Sequence, residues 1–232
     1  MNMGSYSQAT PVIELDENSR GRFISRTYNH LFGAILAFVL LEVVLFKTGI
    51  AEGIASVLLS GSWLLVLGGF VVVSWIARYV AGRSASLPAQ YAALAGYVVA
   101  EAIIFVPLLY VAEKFAPGAI GSAALVTFLG FVGLSLVAFV TRKDFSFLRG
   151  LLIWGGIVAM VLIVAGVIFG FQLGTYFSVA MVGLAGAAIL YDTSNILHHY
   201  PENRYVSAAL ELFSSVALMF WYVLRLFLGS RR

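Results

Sequence analysis

The chain has 232 residues, of which 61% are hydrophobic and 11% charged, and its mean hydropathy is +0.97. Soluble domains carry about 25% charged residues, so the composition excludes a water-soluble enzyme and a disordered chain. The net charge of +3 comes from 14 Lys and Arg against 11 Asp and Glu. These are spread too thinly to track a phosphate backbone, and nucleic acid is excluded as a partner. With no cysteine there is no disulfide, thiolate metal site or cysteine nucleophile.

Residues 1–27 read as a polar, largely disordered tail, becoming helical near Arg22. They lack an apolar stretch followed by a small-residue cleavage site, so they do not read as a signal peptide. Residues 28–232 read as an all-α polytopic membrane domain. A spanning helix needs about 20 mostly apolar residues. Seven windows qualify, at residues 28–47, 62–81, 89–112, 119–140, 149–170, 173–193 and 205–228. Gly, Pro and charged residues punctuate the intervals, including Gly49 to Gly61, Pro117-Gly118 and Pro201-Glu202-Asn203. Pro88 is expected in a first turn and Pro107 inside the third span, where it should kink the helix. The link from Gly170 to Gly174 is short enough to make the fifth and sixth spans a tight hairpin. Glycines at 130/133, 155/156, 166/170 and 183/186 suit close helix contacts, within the chain rather than between copies.

Orientation follows the Lys and Arg distribution. One side collects Arg20, Arg22, Arg26, Arg78, Arg83, Arg142, Lys143, Arg149 and Arg204. The other holds Lys47, Lys114, Arg225, Arg231 and Arg232. The bias predicts a cytoplasmic N-terminus in a plasma membrane. The basic C-terminal group leaves open a form in which both termini are inside and the seventh span is incomplete.

An ionisable group at mid-helix in hydrocarbon costs about 2.5–3.5 kcal/mol and points to function. The candidates are Glu42, Arg78, Glu101, Asp192, Glu211 and Arg225. At about 100° per residue, Ser207, Glu211, Ser214, Tyr222 and Arg225 share one arc of the last span, with Ser215 at its margin. A lipid-facing helix would not keep such a stripe, so this span is expected at the centre. Leu218 interrupts the stripe and is a candidate plug. Asp192 and Glu211 are expected to meet near one mouth and share a proton, with Arg78 neutralising the remaining charge. An Arg78–Asp192 ion pair is the alternative. Glu42 and Glu101 lie at equal depth with no basic partner, and are secondary acids able to hydrogen-bond each other. His198-His199 is placed in the loop after Asp192 and reads as part of an interfacial pH-sensitive loop rather than a metal site, because no nearby ligand at helical spacing accompanies the pair. No metal or cofactor is expected. Tyr191-Asp192 is half of an aspartyl intramembrane protease motif, but no Gly-x-Gly-Asp, Gly-x-Ser-x-Gly or His-Glu-x-x-His accompanies it. The chain is not expected to be an enzyme.

Several segments resemble the Bax-inhibitor (transmembrane Bax inhibitor motif) family, in its bacterial YccA-like branch. They are Tyr28 to Gly33, Thr141 to Ser146, Ile189 to Ile196, and Ala209 to Phe213 leading to Val223 to Phe227. The resemblance implies six helices packed around a central seventh. It also implies a pH-sensitive calcium leak closed by two aspartates, one in each of the last two spans. Asp192 matches the first, whereas Ser215 stands at the second, one turn beyond Glu211. Either Glu211 takes the partner role or the latch is absent. The resemblance further implies association with a membrane-anchored AAA protease through the N-terminal tail. Two functions follow as expectations: a pH-sensitive cation (calcium or proton) leak in a bacterial inner membrane, or a non-enzymatic modulator or substrate of that protease.

Overall fold

The computed structural model describes residues 11–61, 63–84 and 86–229. Eight helices follow one another among them: α1 (Glu17–Lys47), α2 (Ile50–Ser60), α3 (Trp63–Arg83), α4 (Leu87–Phe115), α5 (Ala119–Thr141), α6 (Leu148–Phe169), α7 (Thr175–His198) and α8 (Tyr205–Gly229). Short 3-10 turns at Val12–Glu14 and Glu202–Arg204 precede α1 and α8. Seven of the helices are long and apolar enough to cross a membrane, and α2 is the short remainder.

The helix ends have local causes. Asp16 caps α1, its carboxylate accepting the Ser19 N–H at 3.1 Å. Pro88 sits in the first turn of α4, where its missing N–H costs nothing. Gly118 before α5 and Gly170 after α6 take φ of 82° and 71°, a conformation that side chains with a Cβ adopt only with strain. Arg204 closes α3 from outside by donating to the carbonyls of Ala81, Gly82 and Arg83. Pro107 lies buried within α4, which continues to Phe115.

Helix α8 is at the centre. It packs against α1, α3, α4, α5 and α7, while α6 completes the ring against α7 and α3. Val206, Leu210, Leu212 and Leu224 of α8 are wholly buried, so the helix is enclosed nearly all round. Helix α6 instead buries only Ala159 and Gly166 and turns Trp154, Ile157, Val161 and Ile168 outward. In water such an apolar exterior is a liability; in a bilayer it is the solvated surface. Lipid removes most of the hydrophobic drive between helices, so close packing has to hold the bundle. Phe105 shows how. Its ring stacks on Phe220 at 5.7 Å and meets Trp221 and Phe38 edge-on at 4.9 and 5.2 Å, joining α4, α8 and α1.

The glycines divide into two groups. A Cβ on Gly130 or Gly186 would sit 3.2 Å from Met219 Sδ or 3.3 Å from a Leu134 methyl, so both mark close crossings of α5, α7 and α8. Gly133, Gly156 and Gly183 face open space. Gly166 packs onto the Phe171 carbonyl and Gly170 makes the turn, so the Gly-x-x-x-Gly spacing serves the α6–α7 hairpin.

Three expectations shift. The Gly49–Gly61 interval is not a loop but α2, whose buried Ala51 and Ala55 pack against Val106. Helix α7 runs to His198, five residues past its expected end. Helix α1 starts at Glu17 rather than near Arg22, and Val12 is fully buried, its N–H bonded to the Tyr200 carbonyl at 2.9 Å. The segment 11–27 is thus anchored, while residues 1–10 of the expected tail lie outside the described residues.

Candidate functional site

Three charged side chains lie at matching depth near the end of the bundle where α8 begins. Arg78 precedes the end of α3 by five residues, Asp192 precedes the end of α7 by six, and Glu211 follows the start of α8 by six. At 1.5 Å per residue each is about 8–9 Å inside its helix end. The extension of α7 carries Asp192 deeper than its sequence neighbourhood implies.

Helix α8 joins these groups in two pairings. Arg78 donates to the Glu211 carboxylate and to Ser214 Oγ, one helical turn further on. Tyr97 of α4 also donates to Ser214, at 2.9 Å. On the other side Ser215 donates to Asp192 Oδ2 at 2.5 Å. The expected direct carboxyl–carboxyl contact between Asp192 and Glu211 is replaced by these pairings, and the alternative Arg78–Asp192 ion pair does not form. The reason is geometric: Ser214 and Ser215 are about 100° apart around α8, so neighbouring positions address opposite partners. The three charges remain close enough to interact, since Asp192 feels both Glu211 and Arg78.

Arg78, Tyr97 and Ser214 also line a cavity of about 650 Å³ between α3, α4, α6 and α8. Glu101, Ser74, Tyr222 and Arg225 are among its other polar groups, and Leu218 stands among them. Leu218, the candidate plug, is partly buried and lines this cavity. Glu101 lies one turn from Tyr97 and within reach of the Arg78 charge. The expected Glu42–Glu101 pairing does not occur: Glu101 faces this cavity and Glu42 a second one, between α1, α4, α5 and α8. Equal depth did not imply a shared face, because α4 and α8 together separate the two spaces.

Tyr97 went unrecognised in the sequence. Its signal was the i, i+4 spacing to Glu101, which puts both on one face of α4. The histidines also differ from expectation. His198 is in the last turn of α7 with Nδ1 2.8 Å from the Ser194 carbonyl, and His199 Nε2 is 3.0 Å from Asp144 in the α5–α6 loop. Ser194 ties down the same loop, accepting from the Phe145 N–H at 2.9 Å. Outside the spans, hydrogen bonds from Ser146, then His199, hold the Asp144 carboxyl below its ordinary value. Burial, then the charges of Glu211 and Asp192, push the Tyr200 phenol up. Tyr200 lies in the short connection between α7 and α8.

Residues 20–232 match the family model described as inhibitor of apoptosis-promoting Bax1. An uncharacterized protein of Pseudomonas aeruginosa is 37% identical over 111 residues, 47% of this chain and 49% of that protein. The Escherichia coli protein named modulator of FtsH protease YccA is 35% identical over 103 residues, 44% of this chain and 45% of its own; the same stretch matches a protein named inner membrane protein YccA. These matches span about half the length of the bacterial relatives. Bax inhibitor 1 of Schizosaccharomyces pombe is 26% identical over 242 residues, covering 95% of this chain and 81% of that protein. The chain, a multi-pass membrane protein with similarity to bacterial YccA, belongs to the Bax inhibitor family.

Proposed function

We propose that the protein is a pH-sensitive cation leak for calcium or protons, closed by the hold of Arg78 and Asp192 on α8. The observation that carries this reading is the placement of Arg78. It pairs with Glu211 on the enclosed helix and lines the 650 Å³ cavity that also holds Glu101, Leu218 and Arg225. Two carboxyls around one guanidinium carry net negative charge when both are ionised, and uptake of one proton removes that excess. A change in protonation therefore alters how strongly α3 and α7 grip α8. In this reading Leu218 is the dry constriction beside the cavity's polar groups, and its displacement wets the path. Ser215, at the position where the family resemblance implies an aspartate, makes the α7–α8 contact a hydrogen bond rather than a shared proton.

Reconstitution in liposomes tests the reading. Calcium or proton entry should exceed that of protein-free vesicles, vary with pH, and rise when Leu218→Ser makes the constriction polar. Entry no greater than that of empty vesicles at every pH would contradict it.

A second reading has its own support, the relative named as a modulator of FtsH protease. In it the segment before Pro11 engages a membrane-anchored AAA protease while the bundle serves as anchor. Neither reading requires a catalytic group. Both place the N-terminus in the cytoplasm, at a bacterial inner membrane, following the Lys and Arg bias. Deleting residues 2–10, which spares the buried Val12, should weaken protease association and leave ion flux intact. Unchanged association would remove this reading.

A further inference from the structure

The second cavity, of about 500 Å³, is separate from the charged cluster and does not enter the leak mechanism. It lies between α1, α4, α5 and α8, with Phe105 and Ala217 forming its common wall with the first. Seven phenylalanines line it, among them Phe38, Phe105, Phe128 and Phe131. Glu42 projects into this apolar space. It is only 7% exposed, and neither carboxyl oxygen has a hydrogen-bond partner. The buried Thr127 hydroxyl on the facing helix is also unpartnered. Glu113 near the end of α4 is the other charged lining group, and no basic side chain is among the described residues that line the space.

A buried carboxyl without partners carries a large desolvation cost, which a ligand can relieve. The lining decides which kind. An acyl chain fills the volume but satisfies neither Glu42 oxygen, and an anion meets two acids. Calcium takes about six to eight oxygens, more than the side-chain oxygens of Glu42, Thr127 and Glu113 together supply. An ammonium group donates hydrogen bonds to Glu42 and Thr127, and phenylalanine ring faces attract a cation. Its apolar body matches the remaining walls, and the volume suits one small ligand. Access is lateral. Helices α1 and α5 meet where the Tyr28 ring packs against Phe131 and Phe139, and further along α1 Val39 and Val43, with Phe128 opposite on α5, are exposed to the bilayer.

We propose that this cavity is a binding site for a lipophilic amine, taken from the bilayer between α1 and α5 and held as an ammonium by Glu42 and Thr127. The test uses the full chain in lipid nanodiscs and a benzophenone-bearing primary alkylamine, with the corresponding alcohol as the neutral probe. On irradiation the amine should label α5 around Phe128 and Phe131, and excess dodecylamine should compete. Glu42→Gln should lower that labelling about tenfold, the loss of one charge-assisted hydrogen bond, while weak labelling by the alcohol stays unchanged. Ala124→Phe fills the cavity from a position already exposed to lipid, and should block labelling without disturbing the buried core. Equal amine labelling of wild type and Glu42→Gln, or labelling undiminished in Ala124→Phe, would overturn the proposal. Ion flux is measured on the same samples, so failure here is distinct from failure of the leak reading.

Discussion

The Ser215 hydroxyl lies 2.5 Å from Asp192 Oδ2, which makes the contact between the last two spans a hydrogen bond from a neutral side chain to a carboxyl. Ser215→Ala removes the donor and leaves Asp192 without that partner among its described hydrogen bonds. The loss should be about 1–3 kcal/mol. Thermal unfolding in detergent measures it, and Ser215→Thr, which keeps the hydroxyl, should recover most of it.

Arg78 and Glu211 form the other grip on α8. Their side chains are 43% and 24% exposed, so the pair is screened in part and falls short of a fully buried one. A double-mutant cycle with Arg78→Gln and Glu211→Gln should give a coupling of about 1–2 kcal/mol. Arg78→Gln alone should cost more than the double variant, because it leaves Glu211 uncompensated. Ser214→Ala should weaken the pair less, since Arg78 keeps Glu211.

At the surface, Asp144 gives a pH prediction whose sign is set by its depressed folded-state value. Its contribution is complete above the unfolded value of about 3.8–3.9. It is lost as pH falls through the still lower folded value. In a His199→Asn background, which removes the neighbouring imidazole, the stability difference made by Asp144→Asn should be flat above about pH 5. It should shrink only on further acidification. Thermal unfolding across this range measures it, and a difference that grew on acidification would have the wrong sign.

Two glycines separate soft from hard contacts. A Cβ at Gly155 would meet a Leu184 methyl at 2.7 Å, the far end of a flexible side chain. At Gly166 it would meet the Phe171 carbonyl at 3.2 Å, backbone of a tight hairpin. Despite the shorter distance at 155, Gly166→Ala should be the costlier change, by about 1 kcal/mol. Comparative thermal unfolding of the two variants decides it.

The spans were legible because about 20 apolar residues have one reading in a protein, and the central α8 because a polar stripe has to be enclosed. Helix α2 was hidden by its eleven residues between two glycines, a length that reads as a break. The depths of Arg78, Asp192 and Glu211 followed from counting along helices. Their pairing did not, because partner choice depends on how each helix is turned about its axis. That rotation places Ser214 toward α3 and α4 and Ser215 toward α7. For the same reason Glu42 and Glu101, matched in depth, open onto different cavities.

The most direct test of the central claim compares cation flux through wild type, Asp192→Asn and Glu211→Gln in liposomes between about pH 6 and about pH 8. The account predicts that each neutralisation changes both the size of the leak and its dependence on pH, since each removes one of the two acidic groups in the contacts that hold α8. Identical flux–pH curves for all three proteins would contradict it.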